Sequence, residues 1–176
     1  MAGAELMNTV PGGPEAKLSG GGFARYLPGV ASGSGIGARE ALTESAFSGP
    51  GQINRAVHLS WGSLGACKAV ESGDYTALVW FWLGEVSGAS DRSGDLAQLP
   101  HALVQYTTNP SHDVALSVTA EDGTVNGAGR YPANHWHFAA IIREGDQLRV
   151  HLDGGAEPEL IARTGTEAGG VTLGGV

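Results

Sequence analysis

The chain has 176 residues, of which 41% are hydrophobic and 16% charged, with 29 glycines and a formal net charge of −8. That length suits one domain with a core of its own, and the apolar fraction is that of a globular rather than a disordered chain. The acidic balance excludes partners held by phosphate neutralisation, nucleic acid above all, because no basic stripe is present to neutralise them.

Other features narrow the class further. The glycine content calls for many tight turns, which favours an all-β protein. Cys67 is the single cysteine, which excludes an internal disulfide, a zinc ribbon and a dithiol redox motif. The first seven residues lack the basic and apolar regions of a signal peptide, and no apolar run is long enough to span a bilayer, so no membrane insertion is expected. The chain is therefore read as cytoplasmic or as part of a longer extracellular or cell-envelope protein.

In chain order, residues 1–22 are rich in Gly, Pro, Ala and Ser and are expected to form a flexible arm or linker, with one domain over 23–176. Residues 23–27 suit a short first strand, the glycine-rich run 29–37 a loop, and 38–47 a segment without a convincing apolar face that ends at Gly49-Pro50-Gly51. Residues 56–61 alternate like a half-buried strand, and a turn region is expected over 63–73. Residues 75–83 are the most apolar run in the chain, aromatic and β-branched and apolar on both faces, which predicts a central strand. A loop is expected over 87–94 and strands over 102–106 and 114–118.

The clearest hairpin follows. Trp136, Phe138, Ala140 and Ile142 share one face because side chains repeat every second residue along a strand; Glu144-Gly145-Asp146 turns the chain, and Leu148, Val150 and Leu152 resume the alternation. Asp153-Gly154-Gly155 is the next turn, and a last pair of strands is expected around 160–162 and 171–173. Many short strands with frequent turns and no strong 3.6 period indicate an antiparallel two-sheet β-sandwich.

The run from Asn134 through Trp136-His137 to Asp153-Gly154 resembles the laminin-G-like and pentraxin-like pattern of a Trp-His strand, a turn, and a strand ending in Asp-Gly. The aromatic strand at 75–83 is similar to that family's early Phe-Thr-x-x-x-Trp strand, and Val171-Thr172-Leu173-Gly174-Gly175 to its late Gly-Gly strand. The resemblance covers residues 56–176 and implies a concanavalin A-like jelly roll. It also implies a further edge strand after the Gly-Gly strand, which this sequence lacks. Truncation at the C-terminus, or self-association through an open sheet edge, is the expected consequence.

The resemblance implies a non-catalytic recognition module that binds a glycan or an extracellular protein as an accessory domain of a larger protein. A structural or assembly sandwich with no small ligand is the alternative. Glycoside hydrolases share the fold, but their retaining members carry two carboxylates on one strand face as Glu-x-Asp-x-Glu or a close variant, and no such run occurs here. Glu85 with Asp91, and Glu121 with Asp122, have the wrong spacing or sit in turns.

For ligand binding the candidates are Trp80 and Trp82, with Tyr106, Arg130 and Tyr131 as further contacts. Trp80 and Trp82 point one way along their strand and Val79, Phe81 and Leu83 the other. On an outer face the Trp pair would suit the C–H faces of sugar rings; on an inner face it would be core packing, which is the preferred reading. Calcium is the metal the resemblance implies, held by loop carboxylates and carbonyls, with Asp91, Asp95, Asp122 and Asp153 as candidate ligands. His135, His137 and His151 offer a weaker zinc pattern, and the family's Trp-His histidine is generally a packing residue.

Overall fold

The computed structural model describes residues 5–6, 11, 15–20, 23–28, 55–60, 63–66, 73–83, 92–111, 113–133, 135–165 and 169–174. The strands are β1 (Glu5–Leu6), β2 (Ala16–Ser19), β3 (Phe23–Pro28), β4 (Arg55–Ser60), β5 (Ser63–Ala66), β6 (Tyr75–Trp82), β7 (Arg92–Leu99) and β8 (Ala102–Thr108). They continue with β9 (Asp113–Ala120), β10 (Gly123–Asn126), β11 (Tyr131–Pro132), β12 (Trp136–Glu144), β13 (Gln147–Leu152), β14 (Leu160–Arg163) and β15 (Thr172–Leu173). No helix occurs among the described residues.

The strands form the antiparallel two-sheet sandwich of a jelly roll. The large sheet runs β1-β2-β5-β15-β7-β8-β9-β10, with β11 also on β9; the smaller runs β14-β13-β12-β6; β3 and β4 pair as a separate ribbon. Strict alternation decides which side of each strand is buried. Along β9, Val114, Leu116 and Val118 are buried while their neighbours are only partly so. In the smaller sheet Ala139 and Ile141 of β12 stand opposite Leu152 and Val150 of β13, and all four are buried. These residues meet Ala97, Val104 and Leu116 of the large sheet in one core between the layers. A one-residue slip of either strand would turn its whole apolar set to water, so the pattern fixes the register.

Four expectations are corrected. Residues 1–22, expected to be a flexible arm, contribute β1 and β2, and β2 pairs with β5 in the large sheet. Residues 63–66, expected to be turn, form β5, which β2 and β15 enclose on both sides. Arg92, Ser93 and Gly94, expected to be loop, begin β7, whose alternation is broken by a bulge between Asp95 and Ala97. A bulge adds one unpaired residue, which shifts the apolar parity and hides the strand from a period-two reading. The strand at 75–83, expected to be central, is β6, which among the described strands pairs only with β12 and so lies at the edge of the smaller sheet. Residues 38–47, Cys67 and residues 87–91 lie outside the described residues.

Candidate ligand-binding site

The smaller sheet turns an unusually apolar face outward. Because Ala77, Val79 and Phe81 of β6 turn toward the core, Thr76, Leu78, Trp80 and Trp82 have the opposite parity. Leu78 is 64% exposed and Trp80 44%. The register sets Trp80 opposite Phe138, Leu78 opposite Ala140 and Trp82 opposite Trp136. The Trp80 and Phe138 rings stand 5.0 Å apart between centroids, tilted by 45°. Their pairing across adjacent strands makes a two-ring surface of fixed position, since each ring is held by its own backbone ladder. The preferred packing reading of Trp80 is thus corrected. Trp82 is half-buried, and its indole N–H is buried with no acceptor.

Polar groups border this face. His151 of β13 is opposite Ala140, and Arg149 is opposite Ile142. His151 Nδ1 lies 3.0 Å from the Gly155 carbonyl oxygen, and Arg149 pairs with Glu144. Farther along, Ile161 of β14 stands opposite Arg149 and is 48% exposed.

The other expected contact residues lie elsewhere. Tyr106 has the inward parity of β8 and packs against the core, where burial raises its phenol above the ordinary range, assisted by the Asp95 charge. Tyr131 sits edge-on to the His137 ring at 5.9 Å between centroids and donates to Glu159 Oε2 at 2.7 Å. The same carboxylate accepts the Gly129 N–H at 2.7 Å, so Glu159 clips the segment before β11 to the rest of the sandwich. Arg130 is exposed and donates to the Gly129 carbonyl at 2.8 Å. Trp80 and Trp82 therefore share a face, while Tyr106, Arg130 and Tyr131 do not join it.

The expected metal ligands do not converge. Asp95 accepts from Gln105 Nε2 at 3.0 Å on the outer side of the large sheet. Asp122 is exposed in the β9–β10 turn. Asp153, in the turn after β13, spends both oxygens internally, one on the Phe138 N–H and one on His137 Nδ1, each at 2.8 Å. Asp91 lies outside the described residues. Among the described residues no group of three or more His, Cys, Asp or Glu is placed to hold a metal ion. His137 is buried, with its second ring nitrogen 2.9 Å from the Pro132 carbonyl, whereas His151 has the outward parity of β13 and His135 bonds the Ala133 carbonyl.

Sequence reasoning named Phe138 only as part of an alternating face. The signal that could have joined it to Trp80 is the pairing of the two aromatic strands, which places Trp136 and Phe138 against Trp82 and Trp80.

No protein-family model matches the sequence, and no curated protein matches it. Among solved structures, the chain is similar to a carbohydrate-binding module from Bacillus subtilis at 13% identity and a TM-score of 0.40, over 64% of this chain and 72% of that one. It is also similar to a beta-1,3-glucanase from Mycobacterium marinum at 11% identity and a TM-score of 0.46, over 87% of this chain and 62% of that one. A beta-glucanase from Bacillus licheniformis gives 13% identity and a TM-score of 0.44, over 99% of this chain and 85% of that one.

Proposed function

We propose that this chain is a non-catalytic carbohydrate-recognition module, an accessory domain of a larger extracellular or envelope protein, whose aromatic outer face takes a neutral glycan chain. The observation that carries the reading is the exposed Trp80 ring beside Phe138 on the outer face of the smaller sheet. Sugar rings present apolar C–H faces that stack on such surfaces, and their equatorial hydroxyls reach polar groups at the border, here His151 and Arg149. Isolated apolar side chains on a surface need no explanation, but Leu78, Trp80, Phe138 and Ile142 are neighbours across one strand pair.

A hydrolase on this fold would need a carboxylate pair about 5–9.5 Å apart across the substrate. On the outer side of the large sheet Asp95 is in register with Gln105 and then with Ser117. Asp113 shares that parity on β9 but lies four residues from Ser117, about 13 Å at the rise of a strand. That spacing is too wide for this pair to serve as the two catalytic carboxylates.

Binding of neutral polysaccharides should be measured by calorimetry, in calcium and again in chelator, for the wild type and for Trp80→Ala. Wild-type binding to at least one neutral glycan, weakened about tenfold or more by the substitution with the near-ultraviolet circular dichroism otherwise preserved, is the expected outcome. Equal binding by both proteins would remove the aromatic face from the site, and no binding to any glycan would end the carbohydrate reading.

A further inference from the structure

The aromatic face carries a polar atom whose role is fixed by its surroundings. His151 stands on the outward side of β13, opposite Ala140, and its Nδ1 lies 3.0 Å from the Gly155 carbonyl oxygen. A carbonyl oxygen only accepts, so Nδ1 carries the hydrogen, and in the neutral ring Nε2 is left as an acceptor with an open lone pair. Nε2 makes no hydrogen bond to the described residues and is not buried, so it opens to solvent.

The turn after β13 fixes this acceptor relative to the stacking rings. The Asp153 N–H donates to the Phe138 carbonyl and Asp153 Oδ1 accepts the Phe138 N–H, each at 2.8 Å, while Gly155 of the same turn accepts from His151. The Gly155 N–H closes the turn on the Leu152 carbonyl at 3.0 Å. Phe138 lies two residues from Ala140 on the same face and is therefore the diagonal neighbour of His151, a separation of about 7–8 Å that one sugar ring and its hydroxyl span. A sugar laid on Trp80 and Phe138 brings a rim hydroxyl to Nε2, and because ring and acceptor are held by one turn, little ordering is left for binding to impose.

The neighbouring carboxylates are already committed, which favours a neutral hydroxyl donor over a cation. Glu144 is paired with Arg149, Asp153 holds the Phe138 N–H and His137 Nδ1, and Glu159, just before β14, holds the Gly129 N–H and the Tyr131 hydroxyl. Among the described residues no three His, Cys, Asp or Glu side chains gather to hold a metal ion. A lone acceptor of this kind satisfies an O–H and has nothing to offer an ether or ester oxygen in the same place. We propose that His151 sets the specificity of the aromatic face: its Nε2 accepts from a free hydroxyl of the sugar stacked on Trp80 and Phe138, so the face takes neutral glycans bare at that position and discriminates against those O-methylated or O-acylated there. This rests on the reading of the face as a glycan site.

The probes are trisaccharides of β-linked glucose, galactose and mannose with their singly fluorinated and singly O-methylated analogues, titrated by calorimetry into the full chain, into His151→Ala and into Trp80→Ala. Fluorine takes the place of a hydroxyl without a hydrogen to donate. Substitution at one position should cost the wild type about threefold to tenfold in affinity, His151→Ala should lose a similar factor with the parent sugar, and the same analogue should cost that variant nothing further. A merely structural role for His151 would weaken every analogue alike. The imidazole ¹⁵N resonances should show a hydrogen on Nδ1 in the free protein and a shift of Nε2 on binding. Parent sugars that bind in a Trp80-dependent manner, with no analogue whose cost depends on His151, overturn the proposal and leave the glycan reading standing, as does a hydrogen found on Nε2 of the neutral ring. Failure of every parent sugar to bind overturns both.

Discussion

At the scale of single residues, the strongest internal constraint is the Asp153–His137 pair. His137 is 2% exposed and lies 2.8 Å from an Asp153 oxygen, while the other Asp153 oxygen receives the Phe138 N–H. Asp153 holds a left-handed backbone at φ 53°, a conformation that Asp and Asn tolerate better than other side chains. Asp153→Ala strips two buried donors of their acceptor and is expected to cost about 3 kcal/mol, read from denaturant midpoints. Asp153→Asn keeps the shape and the turn and should cost clearly less; equal losses would show that charge and geometry are not separable there.

Tyr131 supplies a pH-dependent counterpart. Its phenol is pushed up from 10.0 to about 12, by burial first and then by its hydrogen bond to Glu159 and the charges of Glu159 and Asp153. Between those values the unfolded chain has released a proton that the folded chain retains, so unfolding becomes progressively easier. The contribution is fully present below about pH 10 and is lost as the pH rises toward about 12. Melting temperatures across this window should fall more steeply in the wild type than in Tyr131→Phe, and parallel curves would refute the assignment.

At the scale of elements, legibility followed regularity. β9 and β13 were readable because each buries alternate residues without interruption, as β12 does from His137 onward, and the Trp-His and Asp-Gly landmarks of β12 and β13 are tied together physically by the His137–Asp153 contact; β6 was readable as a strand from its apolar run, but not its place at the edge of the smaller sheet. β5 and β7 were not readable: the first is four residues long with a central glycine, and the second is bulged and glycine-bearing. The face of Trp80 could be paired with Trp82 from spacing alone, but its outward direction depends on which parity the opposite sheet covers, a property of the tertiary fold.

Gly94 shows how β7 hides its logic. A Cβ there would meet the Tyr106 ring at 2.6–2.9 Å, so the glycine is the socket that lets this tyrosine lie against the core. Gly94→Ala must displace the ring or the strand and is expected to destabilise by about 1–3 kcal/mol, with a changed tyrosine near-ultraviolet signal. A neutral effect would mean that the ring moves at no cost.

At the scale of the whole molecule, the two outer surfaces differ in kind. The large sheet carries a polar ladder in which Asp95 bonds Gln105, Gln105 accepts from Thr119, and Thr119 bonds Thr124. The smaller sheet carries the aromatic and aliphatic face. Over both lies a net charge of −8, which repels polyanions at long range and does little to a neutral partner. If the aromatic face binds by stacking and hydrogen bonds, affinity for a neutral glycan should change by less than about threefold between low salt and half-molar salt, since screening acts only on charge. A polyuronate or sulfated glycan should bind more weakly at low salt and gain as screening removes the repulsion. Calorimetric titrations at the two ionic strengths distinguish these cases. Tight low-salt binding of a polyanion that salt abolishes would locate recognition in a local cationic group such as Arg149 or Arg130, and the aromatic face would then be an accessory surface.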